Sequence, residues 1–195
     1  FEKFGMTEFF IPVNHKGDMI KAYFHDNDFG YKINYIDESK PLGTSGALKY
    51  LESQLKKSFF VTNCDIIVRT DYYSIHNFHL DQKNDLTMVG SMKHYTIPYG
   101  VCETDHTGML RNILEKPKYD FLVNTGLYLI EPHILEYIPK DVRFDMTDLI
   151  NAVKANGLRV GVYPVSEKSW IDIGQWSEYN SVIKDFEKIP QEIND

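Results

Sequence analysis

Asp65 and Asp172 each stand where a short apolar run gives out: Phe59-Phe60-Val61-Thr62-Asn63-Cys64-Asp65, and Trp170-Ile171-Asp172-Ile173-Gly174. In an open α/β sheet, ligands bind at the carboxyl ends of strands, so carboxylates far apart in sequence can converge there. Two hard oxygen ligands suit Mg2+, which keeps several waters and takes its remaining ligands from substrate phosphates. That is the chemistry of a phosphoryl or nucleotidyl transfer site. Taken singly, either aspartate reads first as a turn or helix-cap residue.

Other residues carry weaker versions of the same message. Leu42-Gly43-Thr44-Ser45-Gly46-Ala47-Leu48 is a small-residue turn feeding a helix. Its glycines let a ligand approach the backbone, and free N–H groups at a helix start favour anions. An ordinary tight loop with Thr44 or Ser45 capping the helix fits as well. In Glu115-Lys116-Pro117, the proline turns Lys116 away from the helical region, placing an ammonium extended at a strand end where it can meet a phosphate. Asn124-Thr125-Gly126 interrupts an apolar strand, and its polar groups need partners: a hydroxyl-rich ligand, or nearby backbone at a bulge. Tyr99-Gly100 poses the same choice. The seven histidines, His79 and His94 among them, show no metal-ligand spacing and read as surface or packing residues. No nucleophile elbow or Cys-x-x-Cys pair offers covalent chemistry.

The elements that must position these residues alternate along the chain. Residues 9–14 read as a strand weakened by Pro12, which cannot donate to a central ladder. Met19, Ile20, Tyr23 and Phe24 follow helical spacing, and residues 31–36 alternate as a strand. Ala47, Leu48, Leu51 and Leu55 make one face of a helix, followed by the strand ending at Asp65. Between 86 and 130 four runs (86–92, 99–103, 109–114 and 122–130) are separated by turn signals, with His106-Thr107-Gly108 as a hairpin turn. Pro132 opens a helix carrying Ile134, Leu135 and Ile138, stopped by Pro139. Asp145 caps a helix bearing Met146, Leu149, Ile150 and Val153, ended by Asn156-Gly157. A strand at 159–165 leads towards Asp172, and a last helix carries Trp176, Tyr179, Ile183 and Phe186. Alternation around a β-rich insert predicts an α/β fold with a mostly parallel sheet.

Composition sets the outer bounds. The chain has 195 residues, 43% hydrophobic and 14% aromatic, enough for a real core. No run approaches the ~18 apolar residues of a membrane span. The net charge of −7 and the absence of Lys/Arg blocks disfavour nucleic acid as a partner. Two cysteines make no disulfide framework and point to a reducing cytoplasm, with Cys64 read as a buried small hydrophobe in its strand. The chain starts at Phe1 with no charged-then-apolar leader, which reads as a processed form or a fragment.

In order, Leu-Gly-Thr-Ser-Gly-Ala-Leu (42–48), Asn-Cys-Asp (63–65), Pro-Tyr-Gly-Val (98–101), Glu-Lys-Pro (115–117), Asn-Thr-Gly-Leu-Tyr (124–128) and Trp-Ile-Asp-Ile-Gly (170–174) resemble the sugar-phosphate nucleotidyltransferase family. Each motif is weak, but six in the right order are strong. The resemblance implies a Rossmann-like, mostly parallel sheet flanked by helices with a β-rich sugar-binding insert. It also implies one nucleotidyltransferase domain over 1–190, with 191–195 a frayed tail. Asp65 and Asp172 match the family's Mg2+ ligands, and Gly43, Thr44 and Gly46 its nucleotide loop. Tyr99, Gly100, Glu115, Asn124 and Thr125 match sugar-holding positions, and Lys116 the lysine on the sugar phosphate. The implied substrates are a nucleoside triphosphate, with GTP favoured, and a mannose- or hexosamine-type sugar 1-phosphate. Glucose-1-phosphate thymidylyl or uridylyl transfer is the alternative, as is a non-catalytic nucleotide-sugar-binding or regulatory relative. The sequence departs from the pattern twice. Cys64 replaces the commoner glycine before the first metal ligand. The family's opening strand and Gly-rich loop with its arginine, and the second lysine after it, have no counterpart, so a gap in the sheet is expected, filled by an upstream segment or a partner such as a second copy.

Overall fold

The computed structural model describes residues 1–25 and 30–174. The expected helix around Trp176–Phe186 and the tail at 191–195 lie outside the described residues. Contacts divide the chain into two interleaved compact units. Of the described residues, the first takes 1–25, 30–63, 71–88 and 126–163; the second takes 64–70, 89–125 and 164–174.

In the first unit, β1 (Glu8–Val13) pairs parallel with β2 (Lys32–Asp37), joined by α1 (Gly17–His25). Pro12 is accommodated because this is a two-stranded sheet, where a missing N–H need not face a partner. β3 (Phe59–Thr62) pairs antiparallel with the end of β8 (Lys118–Ile130), Phe59 opposite Ile130. It is the outer strand of a four-stranded sheet of order β3-β8-β5-β9, with β5 spanning Leu86–Thr96 and β9 Val160–Val165. The α/β class holds, with mixed strand directions. The expected interruption is also present: among the described residues β1–β2 and the four-stranded sheet are not hydrogen-bonded to one another. The Phe1 ring lies 6.5 Å from that of Phe9 on β1 and 6.1 Å from that of Phe60 on β3.

The main core belongs to this unit. Leu86, Tyr128, Ile130, Ile134, Leu135, Ile138, Leu149 and Val153 are buried together, with Leu48, Leu51 and Met146. The inward face of α3 (Met146–Ala155) supplies three of these at helical spacing. A helix absent from the sequence reading, α2 (Tyr72–Asp81), packs through Tyr72, Ile75 and His79, and is capped by Asp71, which accepts from the Tyr73 N–H. The segments Gly46–Leu51 and Pro132–Tyr137 are 3-10 rather than α-helical, so both expected helices are corrected to short 3-10 helices. Six residues are too few for the cooperative α-helical pattern to establish itself.

The second unit contains β4 (Ile66–Val68), which pairs antiparallel with β10 (Trp170–Asp172). It also holds the hairpin β6 (Val101–Thr104) and β7 (Leu110–Leu114), turned at Asp105–Gly108 as expected. Nearly every residue of that hairpin is exposed.

Candidate active site

The two aspartates come together in the second unit. β3 stops at Thr62, so Asp65 is not its last residue; it sits in the turn just before β4. Asp172 closes β10, opposite Ile66. The Ile173 N–H donates to the Asp65 carbonyl at 2.8 Å, and the Gly174 N–H donates to Asp172 Oδ1 at 3.1 Å. A Cβ placed on Gly174 would lie 3.2 Å from Asp172 Oδ1 and 3.2 Å from Asp65 Oδ2. Both carboxylates therefore border the space a side chain at 174 would fill. Glycine keeps that space open, and the donor set is the hard-oxygen one that suits Mg2+. Among the described residues no group of three or more His, Cys, Asp or Glu forms a complete metal cage. Such a pair is the arrangement Mg2+ accepts, since it retains waters and binds substrate phosphates.

Cys64 corrects an expectation. It is exposed in the same turn as Asp65 rather than buried in a strand, because the strand ends two residues earlier. Lys116 does likewise: it lies in the β7–β8 turn with φ of 46°, left-handed rather than extended. Pro117 disfavours the right-handed region for Lys116, but the turn holds it at positive φ instead of in the extended region that a following proline favours. The ammonium stays exposed.

Of the residues matched to the sugar, Gly100 and Glu115 are neighbours: a Cβ at 100 would stand 3.2 Å from Glu115 Oε2. Tyr99 beside them is 74% exposed. Asn124 is exposed, whereas Thr125 is buried and its hydroxyl donates to the Val89 carbonyl at 2.8 Å. Thr125 therefore spends its hydroxyl on backbone. Gly126 shows why a glycine follows: its φ is 87°, its carbonyl accepts the Asn63 N–H at 3.0 Å, and a Cβ would meet Asn63 Nδ2 at 2.7 Å.

The Gly43–Gly46 loop belongs to the first unit and is built against residues 142–146. The Thr44 N–H donates to Asp145 Oδ1 at 3.0 Å, and the Ser45 and Gly46 N–H groups both donate to the Phe144 carbonyl at 3.0 Å. These N–H groups are occupied, so the expected free anion cradle at a helix start is not what the loop offers. Gly43 has φ of 80°, and a Cβ there would sit 2.5 Å from Asp145 Oδ1. Thr44 does cap a helix, though a different one: its Oγ1 accepts the Met146 N–H at the start of α3. Asp145 completes a capping box with Asp148.

Sequence reasoning missed a triad around Trp170. Lys93 Nζ lies 5.2 Å from the Trp170 ring centroid and 3.0 Å from Glu167 Oε1. Seventy-odd residues separate the partners, and no local signal joins them.

Residues 2–189 match the profile of the Nucleotidyl transferase family. The chain belongs to that family. It is 28% identical to mannose-1-phosphate guanyltransferase 2 of Candida glabrata across 90% of its own length, and 28% identical to the UTP–glucose-1-phosphate uridylyltransferase of Synechocystis sp. across 92%. The chain spans about half the length of the curated relatives it matches: 50% and 51% for these two. Among solved structures, HddC from Yersinia pseudotuberculosis superposes with a TM-score of 0.71 at 26% identity, covering 95% of this chain and 81% of that one. The same protein complexed with GMP-PN superposes equally well. No helix among the described residues is long and apolar enough to cross a membrane.

Proposed function

We propose that the protein transfers a nucleotidyl group from a nucleoside triphosphate, GTP by preference, to a mannose- or hexosamine-type sugar 1-phosphate, releasing pyrophosphate. The observation that carries this reading is the convergence of Asp65 and Asp172 around Gly174 in a member of the nucleotidyl transferase family. A phosphate oxygen of the sugar 1-phosphate attacks the α-phosphorus, a new P–O bond forms, and the bond to the departing pyrophosphate breaks. Positioning and charge neutralisation do most of the catalytic work in such displacements.

Asp65 and Asp172 would hold Mg2+, which when bound supplies positive charge to the triphosphate. Lys116, exposed on its turn, holds the sugar phosphate as a point charge. Glu115, Gly100, Tyr99, Asn124 and Thr125 are assigned to the sugar, Thr125 by shaping the strand. Gly43, Thr44 and Gly46 are assigned to the nucleotide. Because the N–H groups of Thr44, Ser45 and Gly46 serve the protein, this loop acts by close approach rather than as a phosphate cradle. The guanyltransferase and uridylyltransferase relatives are equally similar, so GTP over UTP is the finer part of the proposal.

The test is pyrophosphate release by the full-length protein with Mg2+, four nucleoside triphosphates and a panel of sugar 1-phosphates. GTP with mannose or hexosamine 1-phosphate should turn over fastest. Release with UTP or dTTP and glucose 1-phosphate would move the assignment to the alternative specificity, and no release with any pair would leave a binding or regulatory protein. Asp172→Asn should cost on the order of 100-fold or more in turnover, the scale of removing one preorganised electrostatic group, with an unchanged circular dichroism spectrum.

A further inference from the structure

The aspartate pair is only as well placed as β10, and β10 is short. Three residues, Trp170 to Asp172, pair with Val68 to Ile66, and Asp172 is the last of them. Three ladder positions leave the end of such a ribbon free to fray unless its start is anchored. The anchor is Lys93. Its ammonium lies 5.2 Å from the centroid of the Trp170 ring and 3.0 Å from Glu167 Oε1. Glu167 opens the 3-10 turn Glu167–Ser169 that leads into β10. One cation therefore grips both the turn and the first residue of the strand. The Arg69 N–H closes the segment from the other side, donating to the Ser169 carbonyl at 2.7 Å.

The indole has no competing polar tie. Trp170 Nε1 is buried without a hydrogen-bond partner among the described residues. A buried indole N–H usually finds one, and that bond would fix the ring. Ser91 lies two residues before Lys93 on β5, hence on the same face of that strand, and its buried hydroxyl is also unpartnered. Trp170 is therefore oriented by packing and by the cation over its face. Half-buried lysines make such contacts well: the ammonium is partly desolvated, with 20% of the side chain exposed, so the attraction to the ring is less screened than at an open surface.

We propose that Lys93 is a positioning residue for metal binding: with Glu167 it clamps Trp170, and through the β10 ladder fixes Asp172 beside Asp65. This rests on the reading of the aspartates as the metal pair. Loss of an outer partner at a metal site costs about 10–100-fold in affinity. The clamp acts through two intermediate residues, so Lys93→Met, which keeps the apolar stem, should weaken divalent-metal binding by about ten-fold, at the lower end of that range. Lys93→Arg, which preserves both the ring contact and the ion pair, should restore most of it. Glu167→Gln, at an exposed position that will fold, should give a smaller loss in the same direction.

The experiment is Mn2+ titration of the full-length protein followed by electron paramagnetic resonance. Wild type is compared with Lys93→Met, Lys93→Arg, Glu167→Gln and Asp172→Asn, with thermal melts and tryptophan fluorescence on each. Weakened Mn2+ binding in Lys93→Met, rescue by arginine, and a shifted tryptophan emission with the melting temperature held would establish the clamp. Wild-type affinity in Lys93→Met and Glu167→Gln, with binding lost in Asp172→Asn, would overturn the clamp and leave the metal pair standing. Equal binding by wild type and Asp172→Asn, or none by either, would overturn the metal reading and the clamp's role with it.

Discussion

Thr44 hydrogen-bonds the start of α3 twice, across about a hundred residues of chain. The Thr44 N–H donates to Asp145 Oδ1, and Thr44 Oγ1 accepts the Met146 N–H at 2.8 Å. One threonine thus satisfies an orphan donor of α3 while Asp145 satisfies the loop, which gives the loop a structural duty apart from any ligand. Thr44→Val keeps the shape and removes the acceptor. Loss of a cap costs about 1 kcal/mol, and for a chain of this size that lowers the melting temperature by about 2–4 °C. A melt by circular dichroism without nucleotide checks it, and an unchanged melting temperature would show that the cap is idle. At this scale Asp145 was legible, because an N-cap is announced by the residues just after it. The sequence offers Thr44 or Ser45 as a cap of the helix that follows the loop; Thr44 caps α3 instead, since nothing local records which N–H lies opposite. Cys64 was misread because the apolar run continues past the point where pairing stops.

The turn between β6 and β7 is held by one carboxylate. Asp105 Oδ1 accepts from the Thr107 hydroxyl and from the N–H groups of Thr107 and Met109. These bonds, the Thr107 hydroxyl foremost, hold the carboxyl below the usual range. A depressed carboxyl favours the folded turn when ionised. That contribution is present above the ordinary aspartate value of about 3.9 and lost as pH falls through the folded one. The Thr107 and Met109 amides should therefore keep their shifts from neutral pH down to about 4 and move below it. Asp105→Asn should remove the transition, and an NMR pH titration decides the matter. The hairpin was legible because His106-Thr107-Gly108 is local turn chemistry between alternating runs. α2 was not. Its inward face ends on His79, a buried polar residue whose ring nitrogens bond Thr87 Oγ1 at 2.8 Å and Glu131 Oε1 at 3.0 Å, so the apolar period breaks at a buried position. The 3-10 helices at 46–51 and 132–137 show the converse, apolar residues at helical spacing in segments too short for an α-helix.

Across the molecule, apolar burial is uneven, and this has a measurable consequence. The contiguous core gathers on Leu86, Ile130, Ile134, Leu135, Leu149 and Val153 of the first unit, all at 0% exposure. In the second unit the β6–β7 hairpin leaves Leu110 and Ile113 more than half exposed and, among the described residues, pairs only with itself. The order of motifs made the family readable, because glycines such as Gly126 inside β8 and Gly174 after β10 mark places where backbone or side chains approach too closely for a Cβ. The division into two units was not readable: strands β5, β8 and β9 begin in one unit and end in the other, with no linker or composition change to mark the boundary. Backbone amides protected by a dense core open only with global unfolding, at about 5–15 kcal/mol, whereas those of a self-paired exposed hairpin open locally at far lower cost. Hydrogen exchange by mass spectrometry should therefore show α3 and the 127–130 end of β8 exchanging slowest and 101–114 fastest. Denaturant at concentrations below the unfolding transition should accelerate the slow set and leave the fast set nearly unchanged, because only global opening exposes much new surface. Equal protection of the hairpin and α3 would mean that the hairpin is covered in solution by something the isolated chain does not show. In that case adding nucleoside triphosphate, sugar 1-phosphate and Mg2+ to the exchange reaction separates the two causes: ligand protects residues 99–101 and 115–116, while self-association protects 101–114 in proportion to protein concentration.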